Sequence, residues 1–151
     1  MPPPKKEKLI VFSASPLGRF REVFSEIKPP KGGLPTMPTR VSSLASDELG
    51  DISSRYAAWR EFTEDLHMGA CATYAQIKSE YDLAHDRVLI TINSSTVSEK
   101  KAMANTDVEV VKLSQKLVEA DIYVGLLARK LESFSNVLAI LSRELTRRGI
   151  S

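Results

Sequence analysis

Proline is absent from the last 113 residues of this 151-residue chain: all eight prolines fall between Pro2 and Pro38. Proline removes a backbone donor and clashes inside a helix, so a span without it leaves room for long uninterrupted helices. Cysteine occurs once, at Cys71, which excludes an internal disulfide framework and points to a reducing compartment. Apolar residues never run unbroken for the ~18 positions a membrane helix needs, and Met1-Pro-Pro-Pro-Lys-Lys lacks the apolar core of a signal peptide. No membrane contact and no secretion are expected. The glycines form no phosphate-cradling loop, nucleophile elbow or dinucleotide fingerprint, so neither an enzyme nor a bound cofactor is expected.

What is present is helical periodicity. Ile52, Tyr56, Trp59, Phe62, Leu66, Ala70, Tyr74, Ile77, Tyr81, Ala84 and Val88 recur at a mean spacing near 3.6. This predicts a straight helix from about Asp47 or Asp51 to about Ile90. Thr91-Ile-Asn-Ser-Ser-Thr supplies the turn, and Thr96-Val-Ser-Glu99 matches a capping box that opens a second helix. Along it Leu113, Leu117, Ala120, Val124, Leu127, Leu131, Phe134, Leu138, Leu141 and Leu145 alternate steps of four and three, a heptad seam of the coiled-coil kind. These seam residues are the expected oligomerisation core. A further set, Val110, Val118, Ile122, Leu126, Val137 and Ile140, widens the apolar surface beyond what one partner helix covers, so a homo-oligomer is expected.

Two domains follow: a basic, Pro-rich arm over residues 1–40 and a helical hairpin over 41–151. In the arm, Leu9-Ile-Val-Phe12 suits a strand or a docking segment. Ser15-Pro16 opens a short amphipathic helix with Leu17, Phe20, Phe24 and Ile27 on one side, stopped by Pro29-Pro30. Lys31 to Pro38 has the composition of a mobile linker. The fold class is all-α, a long antiparallel helical hairpin with coiled-coil packing behind that arm.

Charge is segmental. Residues 1–40 carry eight Lys/Arg against three acids, 41–90 four against nine, and 91–151 nine against seven. Arg129 and Arg147 lie eighteen residues, five helical turns, apart and so face one way; Lys130 and Arg148 repeat the relation, with Arg143 one step round. These five, with Lys100 and Lys101 near the helix start as a separate group, are the candidate nucleic-acid contacts. They would meet phosphates without reading bases. Lys/Arg at a helix C-terminus also complement the helix dipole, which needs no ligand. Glu64 with His67 and Asp82 with His85 each pair a carboxylate and an imidazole three residues apart. The pairs stand roughly 27 Å apart along one helix, and His67 with Cys71 makes only half a zinc site, so no metal is expected. Asn93-Ser94-Ser95 has the form of a glycosylation acceptor but reads as turn chemistry.

The order Tyr56-Ala-Ala-Trp59, long helix, turn, Asp107-Val108, leucine-rich helix resembles the phage recombination mediator (UvsY) family over residues 50–148. The resemblance implies a small helical homo-oligomer that binds single-stranded DNA and helps load a recombinase onto strands covered by single-strand-binding protein. It also implies a place in the cytoplasm of the host cell. That family carries Lys-x-Arg late in its first long helix; Asp82 and Ala84 stand there in this chain, which moves any DNA contact to other basic residues. The alternative is a structural or scaffold protein of a phage particle, located in the virion, whose hairpin is the body and whose arm contacts neighbouring subunits.

Overall fold

A computed structural model of the protein describes residues 27–93 and 96–149. The expected strand, the short helix up to residue 26 and the first 26 residues of the 1–40 arm lie outside them, as do Ser94 and Ser95 of the turn. Helix α1 spans Ser46–Thr91, α2 spans Val97–Ala104 and α3 spans Val108–Arg147, with a 3-10 turn at Val41–Ser43 ahead of them. The long helices α1 and α3 pack against each other as an antiparallel hairpin. At 1.5 Å per residue they extend roughly 69 and 60 Å.

Local chemistry sets the helix ends. Glu48 reaches back to accept from the Ala45 amide at 3.0 Å and so satisfies an orphan donor at the start of α1. Thr96 accepts from the Glu99 amide at 3.2 Å, as the capping box predicts. The helix it opens stops after eight residues, whereas the sequence pattern predicts one continuous helix. Thr106 donates to the Met103 carbonyl at 2.7 Å, and Asp107 accepts from the amides of Glu109 and Val110 at 2.9 and 3.2 Å. Side chains that bond nearby backbone offer an alternative to the helical ladder, so the chain breaks here and α3 begins afresh.

The heptad seam of α3 faces α1 of the same chain. Leu113, Leu127, Phe134 and Leu141 are buried, and Leu117, Val124, Leu131, Leu138 and Leu145 are half-buried along one edge. The residues expected to form an oligomer core therefore have the hairpin as their first partner. The spacing along α1 also differs from the straight-helix expectation: its buried residues are Leu49, Tyr56, Thr63, Ala70 and Ala84, each a multiple of seven from the next. A seven-residue repeat on both helices keeps their seams in contact along a shared length. Phe62 is only half-buried beside Trp59; Thr63 takes the core position and donates its hydroxyl to the Trp59 carbonyl at 2.8 Å, which removes the cost of burying it.

Two apolar clusters stabilise the rod. Near the chain-end pole Leu49, Tyr56, Phe134 and Leu141 form a core extended by Met37, Leu44 and Trp59, with Tyr56 and Phe134 edge to face at 6.0 Å between ring centroids. Near the turn Ala84, Val110 and Leu113 pack with Tyr81 and Val88. Val110 thus belongs to the interior at 1% exposure, not to the outer apolar set. Among the described residues no helix is long and apolar enough to cross a membrane.

The segment from Gly32 to Leu44 is not a free linker. Its prolines lack donors, so its carbonyls need partners from elsewhere, and α1 provides them. Arg55 donates to the carbonyls of Gly32 and Gly33 at 3.0 and 3.4 Å, Trp59 Nε1 to Gly33 at 2.8 Å, and the Tyr56 hydroxyl to Pro35 at 2.9 Å. Gly32 and Gly33 sit at φ of 86° and 69°, a left-handed conformation that side-chain-bearing residues rarely adopt. The resulting strap crosses position 40/41, where composition alone divides arm from hairpin.

Candidate nucleic-acid interface

The seven candidate contacts divide into distinct environments. Arg129 and Arg143 are exposed on the outer side of α3 and make no ion pair among the described residues. Arg147 shares their side of the helix at 66% side-chain exposure and grips Glu144 by two bonds, Nε to Oε2 at 2.9 Å and Nη2 to Oε1 at 2.7 Å. Lys130 is exposed with its ammonium 4.8 Å from the centroid of the Phe134 ring, a cation–π contact that holds its stem along the hairpin.

Arg148 points inward. Only 16% of its side chain is exposed. Its guanidinium donates to the carbonyls of Leu44, Ser42 and Val41 at 2.7, 3.1 and 3.4 Å, while Nε donates to Glu144 Oε1 at 2.7 Å. It clamps the strap to the last turn of α3 and has no donor edge left for a phosphate, so it leaves the candidate interface. Lys130 and Arg148 both lie about 100° round the helix from Arg129 and Arg147. The expected stripe of five is a line of three, Arg129, Arg143 and Arg147, about 27 Å from end to end. Lys100, half-buried, and Lys101, exposed, belong to α2 at the turn pole and do not join it.

The electrostatics of that line centre on Glu144. Hydrogen bonds from Arg147 first, and from Arg148 second, hold its carboxyl down at about 2 from an ordinary value of 4.5. Arg147 is raised in return by the same hydrogen bond and charge. Its charge is therefore partly balanced, whereas those of Arg129 and Arg143 meet no acidic partner among the described residues.

Other polar groups stand apart. His67 Nε2 lies 3.7 Å from Cys71 Sγ, and His85 stacks on Tyr81 at 5.8 Å; among the described residues no three metal-ligating side chains gather. Lys78 and Asp82 form a surface pair at 3.1 Å one helical turn apart. A shallow depression lined by Tyr81, Asn105, Val110, Val111, Ser114 and Gln115 contains no carboxylate, imidazole or thiol.

Sequence reasoning passes over Arg55, Tyr56 and Trp59 as binding residues, since their ligand is the chain's own backbone. The available signal is three long donors within one helical turn next to a proline-rich stretch with surplus carbonyls. No protein-family model, curated protein or solved structure matches the chain.

Proposed function

We propose that the chain is a single-stranded-DNA-binding recombination mediator that self-associates and meets phosphates without reading bases. The observation carrying this reading is the line Arg129, Arg143 and Arg147 on the outer face of α3, of which Arg129 and Arg143 are exposed and make no ion pair among the described residues of one chain. Guanidinium groups fixed on a rigid helix offer forked donors to successive phosphates. Assistance to a recombinase on strands covered by single-strand-binding protein, and a place in the host cytoplasm, follow from the family resemblance alone.

Titrating single-stranded DNA at two salt concentrations tests the reading. Affinity should fall steeply with salt and be indifferent to sequence. Changing Arg143 and Arg147 together to Ala should weaken binding to all sequences and reduce the salt slope by about 0.7 for each phosphate no longer neutralised, with helicity unchanged. Absence of single-strand affinity at physiological salt contradicts the proposal, and an unchanged slope in the double variant removes these residues from the interface.

A second reading, a structural protein of a phage particle, draws support from the strap. Gly32 to Leu44 tie the base of the basic arm to one pole of the hairpin, a fixed origin suited to an arm that reaches neighbouring subunits. Its distinguishing outcome is loss of assembly on deletion of residues 1–26 with no DNA affinity to lose.

A further inference from the structure

The outer face of α3 is apolar as well as basic. Val108, Val111, Val118, Ile122, Leu126 and Ile140 are 38% to 69% exposed there, with no element of the described chain over them. Such a strip on a helix already packed on its other side marks an interaction surface. Its sequence indicates the occupant. Ten residues along the middle of this face are Val108, Val111, Gln115, Glu119, Ile122, Leu126, Arg129, Ser133, Val137 and Ile140, with Val118 at one edge and Arg143 and Arg147 beyond the end. Their spacing reads the same forwards and backwards about position 124. A face of this kind is complementary to itself in the antiparallel sense.

We infer that two copies of the chain pair through the outer faces of α3, antiparallel, about a two-fold axis at the level of residue 124. In that register Ile122 of one copy meets Leu126 of the second, twice, at the centre. Val108 meets Ile140 of the second copy at each end. Glu119 meets Arg129 of the second copy on each side, and Gln115 meets Ser133. Val137, half-buried against its own core, keeps its exposed edge toward Val111 of the second copy. A parallel pair sets Glu119 against Glu119, Arg129 against Arg129 and Arg143 against Arg143, and like charges held together are destabilising. The antiparallel register converts Glu119 and Arg129 from repelling to attracting partners and covers the apolar strip.

The inference rests on the self-association in the proposed function and is independent of DNA. It assigns Arg129 to the pairing surface and leaves Arg143 and Arg147, nearer the helix end, for phosphates.

Sedimentation equilibrium on the full chain tests it. The expected mass is twice the 16.7 kDa of one chain, or an even multiple. Ile122→Glu with Leu126→Glu should halve it while circular dichroism stays helical, since both side chains are exposed within one chain. Glu119→Arg and Arg129→Glu should each weaken association about tenfold or more, and combining them should restore most of the loss. A full chain that stays monomeric at high micromolar concentration overturns the inference, the strip then being left to solvent or to residues 1–26. So does assembly that survives the Ile122/Leu126 change, an odd multiple of the mass, or a charge exchange that does not rescue. A monomer that still binds single-stranded DNA refutes the pairing alone; a dimer without DNA affinity refutes the DNA reading alone.

Discussion

Glu144 and Arg148 show how neighbouring charged residues on one helix come to different uses. Arg147 and Arg148 differ by a single step, yet that step turns one guanidinium to solvent and the other onto the carbonyls of Val41, Ser42 and Leu44. Lysine, a point charge without the fork, could not span three carbonyls and a carboxylate at once. Glu144 is shared between the two, and its folded value near 2 lies below its ordinary 4.5. Its contribution to stability is therefore complete above about pH 4.5 and is lost as pH falls toward 2. Acid titration followed by helical ellipticity should show a component in that window, and Glu144→Gln should remove it. An identical acid profile in the variant means that the Arg147 and Arg148 bonds add nothing to folding.

At the scale of elements, the strap is held by side chains rather than by a backbone ladder. Tyr56→Phe and Trp59→Phe keep an aromatic ring at each position but delete the bonds to Pro35 and Gly33, each worth about 1 kcal/mol. Tryptic cleavage after Lys31 should then accelerate roughly tenfold or more, because local opening governs the rate when reclosing is fast. Unchanged cleavage means that the strap is open already. The helices and the hairpin were legible in the sequence because burial imposes a period on apolar residues, as the steps from Leu113 to Leu145 show. The strap was not: a bond from Trp59 to a glycine carbonyl leaves no period behind. The seven-residue repeat of α1 was hidden for a related reason. Tyr56, Ala70 and Ala84 stand among the residues that recur at a mean step of 3.6, but the buried Thr63 between them is polar, and a count of apolar side chains passes over it. The break at Asn105 to Asp107 was obscured because no proline or glycine marks it: Thr106 and Asp107 end one helix and open the next through bonds to nearby backbone.

At the scale of the whole molecule the described residues form a rod two helices thick, and its surfaces are allotted by direction. The seam is turned inward, while the outer side of α3 carries mainly apolar residues as far as Leu126 and, beyond it, Arg129, Arg143 and Arg147 with Ile140 among them. The eighteen-residue relation between Arg129 and Arg147 was legible because periodicity fixes which residues share a side. Whether that side meets solvent, α1 or the strap depends on tertiary contacts, and no period in the sequence sets Arg148 against the strap. The strap and the last turn of α3 meet through Arg148, which brings residues 40 to 44 and residue 148 to one pole and leaves the turn and α2 at the other. This has a mechanical consequence. Tension applied between residues 40 and 148 acts across the seam at one end instead of along it, so the hairpin opens as a zipper. In an optical trap with handles at those positions, the strap should release first, followed by stepwise loss of the layers at Leu49 and Leu141, then at Tyr56 and Phe134, under a low and nearly constant force. A single rip from native to fully extended chain contradicts that order. The same rod loaded along the helix axis must break its layers together, so the protein yields to peeling and resists shear.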